Sequence, residues 1–320
     1  MLHTVMTDDW GLTFPIVGAP MAGVGAGALA AAVSRAGGLG VIGIGSRERS
    51  DDVTREAATA RAGGRFGIGL MVWALKERPD LIDAAIAAEP FLLSLSFGDP
   101  EPYVARCHAA GILVATQVGS RQAAASAQAA GVDVLVAQGT EAGGHTGQVG
   151  TLPLLQIVLE IANVPVIAAG GIASPQGMAA ILAAGAAGVW MGTAFLASLE
   201  TKHSDAARER ILHATETDTV HTHLFDRLKA LSWPESYPGR ALRNGFTDRW
   251  HGRQDLPREA QHEFHGRRGD YEVDYIYAGQ AVGLVNAVSS AADIVRRLGH
   301  ETERWLRQRT GELLHQKEDH

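Results

Sequence analysis

A (β/α)8 barrel, or TIM barrel, is the fold this sequence predicts, and three observations predict it. Short apolar runs alternate with alanine-rich helical stretches eight times in the first 200 residues. The runs are almost continuously apolar rather than alternating, as strands buried on both faces must be. Glycines and polar groups collect just after the late runs, where barrels of this kind build their sites. An open, doubly wound sheet is the competitor, and eight units in unbroken order favour closure.

The strands are expected over Pro15–Met21, Leu39–Gly45, Phe66–Trp73, Phe91–Phe97, Ile112–Val118, Val132–Gln138, Pro165–Gly170 and Gly188–Gly192. Their helices begin near Gly25, Asp51, Lys76, Glu101, Ser120, Thr151, Ser174 and Thr193. Ser174-Pro175 reads as an N-cap followed by proline in the first turn, and Ser120 can cap in the same way. Gly37-Gly38, Gly111, Gly131 and Gly185 stand where helices should stop. Residues 1–200 thus form the barrel, and the pattern changes after Glu200. Residues 201–275 are rich in Arg, His, Asp and Glu, with weak periodicity, and predict a mostly helical insertion or lid after the eighth strand. Residues 276–320 return to the barrel through an apolar stretch, Ala278–Val288, and close with helices over Ser290–Leu298 and Glu301–Leu314. Gln316–His320 are expected to fray.

Composition narrows the function classes. The chain has 320 residues, 46% hydrophobic and 20% charged, which is ample for a core. A net charge of −7 without a basic stripe argues against nucleic acid or anionic membrane as the partner. No apolar stretch is long enough to span a bilayer. The single cysteine, Cys107, excludes an internal disulfide, suits a reducing cytoplasm and reads as a packed small hydrophobe. The sequence does not fix the oligomeric state; a homodimer is compatible with it.

The segment Gln138-Gly139-Thr140-Glu141-Ala142-Gly143-Gly144-His145-Thr146-Gly147 carries the strongest chemical signal. It sets an imidazole among glycines, where backbone can approach a flat ligand. His145 titrates near neutrality and can take a proton from carbon or stabilise an anion. Solvent or an arginine is the expected partner of Glu141, rather than His145. Gly170-Gly171 and Gly192-Thr193 end the seventh and eighth strands, a common phosphate position in barrels. Gly143, Gly144, Ala169 and Met191 flank these turns and complete the expected cofactor wall. Ala19, Pro20 and Met21 end the first strand, where small residues and a polarizable thioether suit a planar ring. Gln138 could reach a ligand's polar atoms with its amide. No GxxxxGK[ST] loop is present. His221-x-His223 with His213, and His262-Glu263-Phe264-His265, lack the HExxH spacing, and no metal is expected. Trp233, Trp250 and Tyr237 read as packing anchors of the insertion. Lys76, just past the third strand, is the nearest candidate for a Schiff-base lysine and is poorly placed for one.

Three pieces together resemble the nitronate monooxygenase (2-nitropropane dioxygenase-like) family. They are Ala19-Pro20-Met21 with Ala31–Gly40; Gln138–His145; and Val166–Ile172 followed by Val189–Thr193. Asp218–Arg249 is also similar to the family's insertion. The resemblance implies non-covalent FMN, its phosphate on Gly170, Gly171, Gly192 and Thr193. Ala19, Pro20 and Met21 would run beside the flavin ring, with Gln138 near its polar edge. His145 would be the active-site histidine, and an alkyl nitronate would be oxidised by flavin and O2 to a carbonyl compound and nitrite. The third strand departs from the family: Gly69 stands where many members have asparagine, so that flavin hydrogen bond is expected to be missing or replaced, for example by Gln117. The rivals are an FMN-dependent NAD(P)H:quinone or enoyl-acyl-carrier-protein reductase on the same scaffold, a flavin-free binding barrel, and a phosphate-binding isomerase or aldolase.

Overall fold

The computed structural model describes residues 1–314, so the fraying expected of Gln316–His320 lies outside the described residues. Helix α1 (Val5–Asp8) precedes β1 (Ile16–Gly18). Seven βα units follow: α2 (Gly27–Arg35), β2 (Leu39–Gly43), α3 (Ser50–Arg61), β3 (Phe66–Met71), α4 (Val72–Leu75), α5 (Pro79–Ala87), β4 (Leu92–Ser96), α6 (Glu101–Ala109), β5 (Leu113–Val118), α7 (Arg121–Ala129), β6 (Val134–Gln138), β7 (Gly144–His145), α8 (Thr151–Leu159), β8 (Val166–Ala169), α9 (Pro175–Ala183) and β9 (Gly188–Met191). All but β7 join a closed parallel barrel in the order β1-β2-β3-β4-β5-β6-β8-β9. The seam closes by pairing Ile16 with Val189 and Gly18 with Met191. These strands are the buried apolar runs of the sequence, trimmed by one to three residues at their ends.

Local signals explain most helix boundaries. Ser120 and Ser174 accept from Ala123 N–H and Gly177 N–H as N-caps. Gly37, Gly111, Gly131 and Gly185 end their helices at positive φ. Two expectations need correction. The third unit has two helices rather than one starting near Lys76, because Pro79 stops α4 and opens α5. Only a 3-10 turn, Thr193–Phe195, begins at Thr193.

The eighth outer position is filled instead by α14 (Ala291–Leu314), a continuous 24-residue helix. It packs on α9 and α2 and buries Ile294, Val295 and Leu298. The two predicted closing helices are therefore one. Gly299 lies in the gap left between them, and a Cβ there would lie 2.1 Å from the Phe14 ring. The glycine is required by close packing, and the helix runs through it.

The insertion holds α10 (Asp205–Leu212), β10 (Thr219–Thr222), α11 (Leu224–Leu228), β11 (Gly239–Leu242), α12 (Gly245–Trp250) and α13 (Arg258–Gly266). Its helices were expected, its strands were not. β10, β11 and β7 form an antiparallel sheet, so the insertion grips the barrel through the strand that carries His145. Strands this short leave almost no periodicity to read. Phe225, Phe246 and Phe264 give the insertion its own buried aromatic core.

Candidate active site

A cavity of about 550 Å³ opens at the C-terminal end of the barrel. Ala19, Pro20, Met21, Gln117, Gln138, Gly143, Gly144, His145, Ala169, Gly170, Gly171, Met191, Gly192 and Thr193 all line it. The sequence-predicted residues therefore meet in one place. Gly170 and Gly171 adopt φ of +107° and +70°, a left-handed pair that few other residues tolerate. A Cβ on Gly170 would sit 2.7 Å from Thr151 Oγ1, and one on Gly143 would sit 2.6 Å from the Gly279 nitrogen. The Thr151 hydroxyl at Gly170, and backbone at Gly143, fill the space a side chain would need. Thr193 Oγ1 accepts from Gly279 N–H at 2.9 Å, which leaves its own proton to donate. Among the described residues the amides of Gly171 and Gly192 donate to no protein group.

The absence of asparagine at Gly69 has a steric reason. A Cβ there would meet the Pro20 ring at 2.5 Å, so this position accepts no side chain while Pro20 stays in place. Gln117 lines the same cavity two strands further round, on β5.

His145 is held from three sides. β7 pairs with β11, placing Gly239 opposite His145. A Cβ on Gly239 would lie 2.7 Å from Tyr277 and 3.4 Å from the imidazole, so glycine lets the strands close. His145 Nε2 lies 2.9 Å from Asp226 Oδ2, and Tyr277 donates to Asp226 Oδ1 at 3.3 Å. The indole of Trp233 stacks on the imidazole at 3.4 Å with 4° between planes. The side chains of His145 and Asp226 are only 6% and 5% exposed. Burial lowers the His145 pKa below its usual value, against the opposing pull of Asp226. The Tyr277 phenol is pushed well above its usual range, first by burial and then by Asp226, so it remains a donor. Asp226 as a carboxylate can only accept, so Nε2 carries the proton and Nδ1 is the free lone pair.

Asp226 is the functional residue the sequence reading missed. It stands 81 residues from His145, and its one signal is an acid among Leu224, Phe225 and Leu228 in a helix too apolar to solvate it. Glu141 is half-buried and close enough to Arg240 for its charge to act there, without forming an ion pair; its carboxylate accepts from Thr151 N–H and Oγ1 and anchors the start of α8. Trp233 is more than a packing anchor, since it lines the cavity against His145. Trp250 does pack, against Phe246. Lys76 is exposed at the end of α4, outside the cavity lining. Burial raises the Cys107 thiol to about 11 and keeps it inert. Among the described residues no cluster of three His, Cys, Asp or Glu side chains could hold a metal. No helix among them is long and apolar enough to cross a membrane.

Two predictions arise here. Asp226→Asn is expected to lower turnover about tenfold or more, because the imidazole loses its orienting acceptor. It should also move the acid limb of the pH–rate profile to lower pH, since Asp226 raises the His145 pKa. A pH–rate profile on the variant checks both. Secondly, burial depresses His203 and His221 to about 4. Unfolded histidines bind protons near pH 6.5, so between about 6.5 and about 4 the unfolded state takes up more protons. Stability is therefore fully present above pH 6.5 and lost as pH falls toward about 4. Thermal melts across that range should show a falling Tm, and His203→Asn should flatten the fall.

The fold and site define a barrel enzyme in which a buried, carboxylate-held imidazole faces a glycine cradle with open amide donors. The nitronate monooxygenase family model matches residues 3–301, and the chain belongs to that family. It is an oxidoreductase. It is 32% identical to the nitronate monooxygenase of Neurospora crassa, over 90% of this chain and 89% of that one. A Mycobacterium tuberculosis protein that carries the name of a monooxygenase is 37% identical over 67% of this chain, and the match spans only 60% of that protein's length. Among solved structures, FabK from Thermotoga maritima superposes with a TM-score of 0.86 at 31% identity, covering 98% of this chain and 100% of that one. A nitroalkane oxidase from Streptomyces ansochromogenes gives 0.79 at 28% identity, covering 93% and 98%.

Proposed function

We propose that this chain oxidises alkyl nitronates with O2, using FMN, to a carbonyl compound and nitrite. The observation that carries the reading is the His145–Asp226 pair set across one cavity from the Gly170-Gly171 and Gly192-Thr193 turns. The donor set suits a phosphate monoester: open amides at Gly171 and Gly192, a hydroxyl at Thr193, and no room for side chains at Gly170. Ala19, Pro20 and Met21 would border the flavin ring, with Gln117 and Gln138 supplying polar contacts. FMN, when bound, supplies the electron acceptor and the reaction with O2.

The protein's own part is binding and proton control. His145 is kept neutral by burial, so its Nδ1 can accept the α-proton of a neutral nitroalkane. Proton uptake places positive charge on the ring, and Asp226 stabilises it. Tyr277 holds the second carboxylate oxygen and fixes the pair's geometry. Trp233 shields one face of the imidazole from water. The family membership and the names of the Neurospora and Streptomyces proteins support this reading.

The cavity's volume and the likeness to FabK favour a second reading, a nicotinamide-dependent reductase on the same scaffold. The purified holoprotein should be given ethyl nitronate and O2, then NADH or NADPH with a quinone, in separate assays. Nitrite release with the nitronate supports the first reading. NAD(P)H oxidation without nitrite from any nitronate would replace it with the second.

A further inference from the structure

At the aromatic end of the cavity, Trp73 and Phe97 have no role in the proton chemistry above. Phe97, just past β4, has φ +63°, a left-handed conformation that a bulky residue holds only under strain. Its neighbour Gly98 could carry no Cβ, which would lie 2.7 Å from Val72, so the backbone is locked there by packing. The strain aims the Phe97 ring at Trp233, 4.8 Å away and edge-on. Trp73, past β3, meets Trp233 at 5.4 Å. All three rings line the cavity that holds His145. The cations of the same cavity are engaged elsewhere: Lys202 with Glu56, Arg268 with Asp274, and Lys229 over Tyr275.

We propose that Trp73, Phe97 and Trp233 form a substrate side-chain subsite, and that the substrate is an aryl-substituted nitronate. Aromatic edges and faces complement another ring better than a short alkyl chain. The subsite binds and orients; it adds no bond-making step. The proposal rests on the nitronate reading for its reaction class, but the binding it requires does not.

The test uses the FMN-loaded protein. Benzamide, an unreactive ring, is titrated by calorimetry. The nitronates of phenylnitromethane and nitroethane are compared by kcat/KM. Phe97→Asn suits the left-handed backbone and removes the ring; it should lower kcat/KM for the aryl nitronate about thirtyfold while ethyl nitronate stays within about threefold. No benzamide binding by the wild type, or equal binding by Phe97→Asn, overturns the subsite. A wild type that prefers ethyl nitronate overturns the substrate class. If both nitronates are inert yet benzamide binds and responds to the variant, the subsite stands and the nitronate reaction falls.

Discussion

His145→Asn is expected to lower kcat on neutral nitroalkanes by about 10²- to 10⁴-fold, the range that a positioned general base contributes. Asparagine ends near the position of Nδ1 and does not reach Asp226 as Nε2 does at 2.9 Å, but the glycine turns proposed to hold FMN lie on other elements, so the fold and FMN content should persist. What disappears is the lone pair at Nδ1. The loss on a preformed nitronate should be smaller, because its proton is already gone. Steady-state rates on both substrate forms, with visible absorbance to report bound flavin, separate these effects. Equal losses on both forms would assign the imidazole to anion stabilisation instead, and unchanged rates would remove it from the mechanism.

Gly171→Asp is expected to weaken FMN by about two powers of ten or more. The glycine has φ +70°, which aspartate tolerates better than most residues, and its Cβ would meet nothing closer than 3.5 Å, at Glu141. Steric disruption should therefore be small. A new carboxylate would face the phosphate within a few ångströms, and like charges about 4 Å apart at a protein surface repel by about 4 kcal/mol. Fluorescence titration of the apoprotein with FMN measures the loss. Thermal melts of wild type and variant without FMN check that the fold is retained. An unchanged affinity would place the phosphate elsewhere.

These expectations rest on features that were unequally legible in the sequence. The barrel was readable because each buried strand is a continuous apolar run, and because Ser120, Ser174 and the helix-ending glycines mark boundaries locally. The cavity residues were readable for the same reason: strand ends are neighbours in any closed barrel. The partners of His145 were not. Asp226, Trp233 and Tyr277 come from the insertion and the return segment, and they reach the imidazole through a sheet whose strands have two to four residues. Nothing in local periodicity encodes that pairing. The closing helix was expected as two, Ser290–Leu298 and Glu301–Leu314, and the sequence does not say that the glycine between them, Gly299, admits a neighbouring ring inside one helix. Phe97 carries no local mark of its left-handed backbone, which tertiary packing imposes.

Crystals of the protein grown with FMN offer the most direct measurement. The account predicts the phosphate within hydrogen-bonding distance of the Gly171 and Gly192 amides and the Thr193 hydroxyl, with the flavin ring beside Met21 and within reach of His145 Nδ1. A phosphate anchored at another rim of the barrel, or a ring on the far side of the cavity from the imidazole, would contradict it.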